Sequence, residues 1–136
     1  MPKTYVIDCN VIIKWFFNEE DSSQVDSLYD RAKSREIELF APSILELEFL
    51  GILTKLRRSK NMKRSILENS FSYFLDVCQD KIINLVSMAN RRREVFLMSL
   101  DNNINYFDAE YLYLSKILNA ELITFDKNLK KKQSKI

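Results

Sequence analysis

Apolar residues along this chain follow two rhythms. Short unbroken runs rich in β-branched residues alternate with longer segments in which apolar positions recur every three or four residues. The run from Thr4 to Asp8 predicts a buried strand, because it is too short for a helix and is bounded by polar residues. Residues 11–17 predict a helical turn or two, and Asp21, Ser22 and Ser23 form a helix-start cluster ahead of a helix over about 22–35. Ile37 to Ala41 predicts a second strand. Pro42-Ser43 then opens a helix to about Arg58, with Ser43 and Glu46 at capping-box spacing. A helix over about 61–78, a strand from Lys81 to Val86 and a helix over about 88–101 follow. Asn105 is placed to cap a helix over about 106–118, and Glu121 to Phe125 predicts a last strand before a short helical turn and a lysine tail.

Strands separated by helices pair in parallel through right-handed crossovers, so the fold class is a three-layer α/β/α sandwich around a central parallel sheet of four to five strands. With 136 residues, no internal repeat and no linker, the chain reads as one domain over 1–130 with a basic tail over 131–136. A hydrophobic content of 46% supports a real core. The net charge of +2 conceals five lysines in residues 127–136, which leave the remaining body at −3, so attraction to nucleic acid must come from local patches. One glycine in the whole chain predicts few left-handed turns and argues against a glycine-rich phosphate loop.

The chain contains no histidine. Ser-His-Asp and Cys-His catalysis, HExxH zinc chemistry and imidazole bases are therefore excluded. Cys9 and Cys78 have no metal or redox spacing and read as small core residues of a reducing compartment. No apolar stretch approaches the ~18 residues of a membrane span. No signal peptide is visible, since Asp8 and Lys14 interrupt the first apolar segment. The expected location is the cytoplasm.

Candidate chemistry lies in the acids. Asp8 closes the first strand, Asp126 closes the last, and Asp108 sits just upstream of the latter. Ligands bind at the carboxyl ends of strands in open parallel sheets, so these carboxylates could meet there. Converging carboxylates repel unless a hard cation joins them, and Mg²⁺ and Mn²⁺ prefer such oxygen ligands. Each acid also has a plainer role available. Asp8 and Asp126 could cap the helices that follow them, and Asp108 could complement a helix N-terminus. Glu48 is harder to explain that way. It faces away from Glu46 and lies one turn from Leu45 and from Ile52, on an apolar stripe where a carboxylate needs a partner.

Four stretches together carry a family resemblance. They are Val6-Ile7-Asp8-Cys9-Asn10-Val11 followed by Lys14-Trp15-Phe16, Pro42-Ser43 with Glu48 six residues after the proline, Tyr106-Phe107-Asp108-Ala109-Glu110-Tyr111-Leu112, and Leu122-Ile123-Thr124-Phe125-Asp126-Lys127. In order and spacing they resemble the PIN domain, the metal-dependent nuclease fold of VapC-type toxins. The resemblance departs at Phe107, which stands between the tyrosine and Asp108, and at Cys9. It implies that Asp8, Glu48 and Asp108 are the main metal-site acids and that Asp126 completes a quartet. It further implies that Asn10 and Thr124 orient water or a carboxylate.

The activity this implies is Mg²⁺- or Mn²⁺-dependent endoribonuclease hydrolysis, by attack of a metal-activated water that leaves a 5′-phosphate and a 3′-hydroxyl. Single-stranded or looped RNA is the expected substrate. Three basic stretches could meet phosphates: Lys55 to Arg64, Arg91 to Arg93, and the tail. The resemblance also implies a homodimer and an antitoxin partner that occludes the acidic site. The aromatic residues Trp15, Phe16, Phe17, Tyr29, Phe71, Tyr73 and Phe74 are expected mostly in the core, with some at a partner surface. Two rival readings are a non-catalytic PIN-like RNA- or protein-binding module and an aspartyl-phosphate enzyme resembling the haloacid dehalogenase family. That family wants a second aspartate where Asn10 stands.

Overall fold

The computed structural model describes residues 2–17 and 22–134, without the side chains of 22–26. The predicted start cluster at Asp21, Ser22 and Ser23 therefore lies outside the described side chains. The elements in order are β1 (Lys3–Ile7), α1 (Cys9–Phe17), α2 (Ser22–Lys33), β2 (Ile37–Pro42), α3 (Ile44–Lys60), α4 (Arg64–Gln79) and β3 (Ile83–Val86). A single 3₁₀ turn (Ala89–Arg91) then leads into α5 (Arg92–Asn102), α6 (Tyr106–Leu118), β4 (Glu121–Ile123) and α7 (Lys127–Gln133).

The four strands form one sheet in the order β3-β2-β1-β4, parallel throughout. β1 is central because its residues Val6 and Ile7 are fully buried, and burial on both faces suits an unbroken apolar run. Its register aligns Val6 with Phe40 on one side and with Leu122 on the other. Connections from β1 go to β2 on one side, while β4 returns on the other, so the strand order reverses at β1. The crevice beyond the carboxyl ends of β1 and β4 is thus where this class of sheet binds ligands.

Helices cover both faces, giving the three-layer α/β/α sandwich. On one face α6 lies against β1, β2 and β4, flanked by α5 and α7. Residues Ala109 to Ser115 of α6 are all buried, as expected of a helix with neighbours on every side. On the other face α1, α2, α3 and α4 pack together. Their contact is largely aromatic. Phe49 stacks on Phe74 at 4.7 Å, Phe16 meets Phe49 edge-on at 5.0 Å, and Trp15 meets Tyr29 at 5.4 Å. Such pairs are worth about 0.5–1.5 kcal/mol each beyond the area they bury. Most of the aromatic residues expected in the core are thus spent in joining these helices.

The structure corrects several local expectations, among them the last strand, which ends at Ile123 rather than at Phe125. Ser43 makes no side-chain cap, because its backbone is already helical (φ −57, ψ −24) and its hydroxyl cannot reach forward from that geometry. Left-handed turns are also more frequent than one glycine suggested. Asn61, Asn103 and Asn119 take positive φ at the ends of α3, α5 and α6, and Arg35 and Lys81 do so elsewhere. Asparagine tolerates this conformation and here takes the helix-ending role that glycine usually has. Lys81, left-handed, therefore precedes rather than begins β3. Asn105 caps α6 as expected, its Oδ1 accepting from the Asp108 N–H at 2.8 Å. α7 extends to Gln133, whose amide donates to the Ala120 carbonyl at 3.0 Å. Among the described residues, no helix is long and apolar enough to cross a membrane.

Candidate active site

The carboxyl ends of β1 and β4 place Asp8 and Thr124 side by side, 116 residues apart in sequence. Asp8 is the first residue past β1, and its backbone N–H donates to the Ile123 carbonyl at 3.3 Å, which extends the sheet by one bond. Its Oδ1 accepts from the Val11 N–H at 3.2 Å, so the carboxylate does cap α1. Its Oδ2 accepts a hydrogen bond from the Thr124 hydroxyl. Thr124 in turn accepts from the Asp126 N–H at 3.0 Å. One hydroxyl therefore ties the end of β4 to the end of β1 and orients Asp8.

Glu48 reaches the same place from α3. Its Oε1 accepts from the Tyr111 hydroxyl at 2.6 Å. The charge of Glu46, two residues away, acts instead on the Cys78 thiol of α4, and Glu46 is not part of the cleft wall that Glu48 joins, as two positions about 200° apart on one helix require. Asp108 arrives in the first turn of α6. Asp8, Asn10, Glu48 and Asp108 together line one cleft of about 330 Å³, with Cys9, Gly51, Ile52, Lys55 and Tyr111 completing its wall. Asp126 is absent from this wall. Its Oδ1 accepts from the Asn128 and Leu129 N–H groups and caps α7, although its charge is near enough to act on Asp108.

The electrostatics are those of crowded acids. Burial holds the Asp8 carboxyl above its usual range, opposed by the bonds from Thr124, Val11 and Asn10 and reinforced by the Asp108 charge. Burial likewise raises Glu48, against the Tyr111 bond and with the help of Asp108, Asp8 and Glu110. Burial and then the Asp126 charge raise Asp108. The ion pairs formed among the described residues, Arg31 with Glu36 and Arg64 with Glu68, involve none of these acids. The cleft thus gathers three carboxylates that make none of these ion pairs, with Lys55 as the cation in the same wall.

Such a donor set suits a hard, oxygen-preferring cation. Among the described residues, no three acids or thiols converge tightly enough to make a ready cage. Mg²⁺ does not need one, since it keeps several waters and is usually held by one or two carboxylates together with substrate phosphates. Oxygen atoms spread around a cleft of this size fit that habit better than the all-protein coordination of a structural site.

Sequence reasoning assigned no role to Tyr111 or to the cleft position of Lys55. Tyr111 lies three residues beyond Asp108 on α6, so helical spacing alone puts the two on one face. Lys55 lies seven residues, two turns, beyond Glu48 on α3, where the same reasoning applies.

Comparison with known proteins gives one consistent result. A family model described as the PIN domain matches residues 5–135. The curated protein Ribonuclease VapC3 of Pyrobaculum aerophilum is 25% identical over 131 residues, which cover 93% of this chain and 92% of the relative. The crystal structure of PAE2754 from Pyrobaculum aerophilum superposes with a TM-score of 0.73 at 18% identity, covering 96% of this chain and 79% of that one.

Proposed function

The chain belongs to the PIN domain family, and on that footing we propose that it is a divalent-metal-dependent endoribonuclease of the VapC type. The observation that carries this reading is the convergence of Asp8, Glu48 and Asp108 on one cleft at the strand-order reversal. A nucleic-acid phosphodiester is the substrate class suited to acids that hold hydrated Mg²⁺ or Mn²⁺.

In this reading Asp8, Glu48 and Asp108 hold the cation, with Asp126 acting on Asp108 from just outside. When bound, the ion supplies a lowered water pKa and charge stabilisation at the phosphoryl oxygens. The chain's own groups do the positioning. Thr124 and the start of α1 hold Asp8 in a single orientation, and Tyr111 holds Glu48. Asn10 presents a neutral amide at the cleft, where it can orient a water or a phosphate oxygen. Lys55 offers a positive group at the rim for a neighbouring phosphate. Hydrolysis adds the water oxygen to phosphorus as the 3′-oxygen departs with a proton, leaving a 5′-phosphate and a 3′-hydroxyl.

The same reading includes a homodimer and an antitoxin that covers the cleft, in the cytoplasm. Exposed apolar side chains support a partner-covered surface, notably Leu47 on α3, Phe96 and Leu100 on α5 and Phe107 on α6. The unpaired thiols Cys9 and Cys78 suit a reducing compartment.

The test is incubation of a labelled single-stranded RNA pool with the purified protein in Mg²⁺, in Mn²⁺ and in chelator, beside duplex DNA. RNA cutting in either metal and none in chelator is expected. Cutting that persists in chelator, or that is confined to DNA, contradicts the proposal.

A further inference from the structure

The acidic cleft does not end at its own wall. Asn10, Ile52 and Lys55 also line a second, larger groove of about 730 Å³ that runs away from it between α1 and the second half of α3. The character of the surface changes along this path. The cleft wall holds three carboxylates, whereas the groove is lined by Lys14, Lys55 and Lys60 among apolar side chains such as Phe17, Leu56 and Met62, with Phe125 beside them. Phe125 stands in the connection between β4 and α7 as a residue 42% exposed, and the Lys14 ammonium lies 4.9 Å from the ring centroid.

A strand whose scissile phosphate enters three carboxylates is repelled by them at its flanking phosphates as well. It therefore needs cations immediately beyond the cleft and a surface for its unpaired bases. The groove supplies both in a position continuous with the cleft. We propose that it holds the single-stranded RNA segment next to the cut, with Lys55 and Lys60 on its phosphates and Phe125 stacked on a base. This inference rests on the ribonuclease reading. It also divides the basic stretch of α3. Lys55 and Lys60 face the RNA path, while Arg57, Arg58 and Arg64 line a separate crevice between α3 and α4, where Arg57 donates to the Met62 carbonyl.

The test measures binding apart from cutting. Asp8→Asn protein is titrated into fluorescein-labelled oligoadenylate in Mg²⁺ and followed by anisotropy over a range of salt. Adding Phe125→Ala should weaken binding roughly tenfold to a hundredfold, the effect of losing one stacked base. Phe125→Leu should behave like the alanine variant, and Phe125→Trp should restore affinity. The exposure of this residue makes all three tolerable to the fold, and equal melting temperatures check it. Lys60→Ala should leave the leucine–tryptophan contrast intact while reducing the salt slope by about 0.7. Affinity and slope unchanged in Phe125→Ala and Lys60→Ala overturn the inference. Whether the wild-type protein cuts RNA decides the ribonuclease reading separately.

Discussion

Replacing Asp8 with asparagine will lower RNA cleavage by more than a hundredfold and leave the fold in place. Groups that merely support a metal ligand cost about 10–100-fold when removed, and Asp8 is proposed to be a ligand itself. The amide is nearly isosteric with the carboxylate. Its oxygen can still accept from the Val11 N–H, and the Thr124 hydroxyl can turn to accept from its nitrogen. What disappears is the charge. Turnover within a few-fold of wild type, in protein free of host nuclease, would remove Asp8 from the chemistry. Retained far-ultraviolet circular dichroism and cooperative melting show that any loss is not one of folding.

The same substitution will raise the melting temperature of the metal-free protein. Asp8, Glu48 and Asp108 all have folded-state pKa values above their ordinary range, chiefly through burial and secondarily through the charges of neighbouring acids, Asp126 in the case of Asp108. A carboxyl shifted upward on folding binds its proton more tightly in the native state. Its favourable contribution is complete below the ordinary carboxylate range and is lost as pH rises through the raised native value. At neutral pH, then, the metal-free cleft is destabilising, first because its carboxylates are buried and then because they repel. Removing one charge should raise the melting temperature by about 3–5 °C, the change that ~1 kcal/mol produces in a domain of this size. Asp8→Asn should also melt with a flatter pH dependence than wild type between mildly acidic and neutral pH. Mn²⁺ should reverse the order, because an ion at a hundred times its dissociation constant stabilises the native wild type by about 2.7 kcal/mol and the variant by little. Lower metal-free stability in the variant, with no Mn²⁺ effect on wild type, would mean that Asp8 is a structural cap and nothing more.

These two predictions pull in opposite directions at one residue, and that opposition explains what could be read from the chain before its fold was seen. Asp8, Asp108 and Asp126 all sit at helix starts in the structure, so the plain capping roles and the functional roles occupy the same atoms. Local spacing therefore located the acids without deciding between the roles. Glu48 was the more telling residue, because a carboxylate on an apolar helical stripe has no local reason to be there. The strands and helices were legible for a similar reason: unbroken apolar runs and three-to-four spacing are properties of single elements.

Thr124 was expected to orient a water or a carboxylate and Tyr111 was given no role, but in both cases the partner depends on elements meeting. The Thr124 bond to Asp8 spans 116 residues and the Tyr111 bond to Glu48 spans 63. Neither partner choice is encoded in nearby spacing. Asp126 shows the same limit from the other side. The last strand ends at Ile123 rather than at Phe125, and Asp126 lies three residues beyond it, where its side chain caps α7 and leaves the cleft wall to the other three acids. Ser43 had the right residue type and the right glutamate three positions on, but the backbone enters α3 one residue early and spoils the cap.

The most direct measurement is of the ends that the protein leaves on RNA. A single labelled RNA is cut by the wild-type protein in Mg²⁺, and the new termini are tested with ligase, phosphatase and polynucleotide kinase beside an Asp8→Asn reaction. Hydrolysis in the acidic cleft predicts 5′-phosphate and 3′-hydroxyl ends, formed only with metal and only by the protein that keeps Asp8. Ends carrying a 2′,3′-cyclic phosphate, formed equally in chelator and by the Asp8→Asn variant, would contradict it.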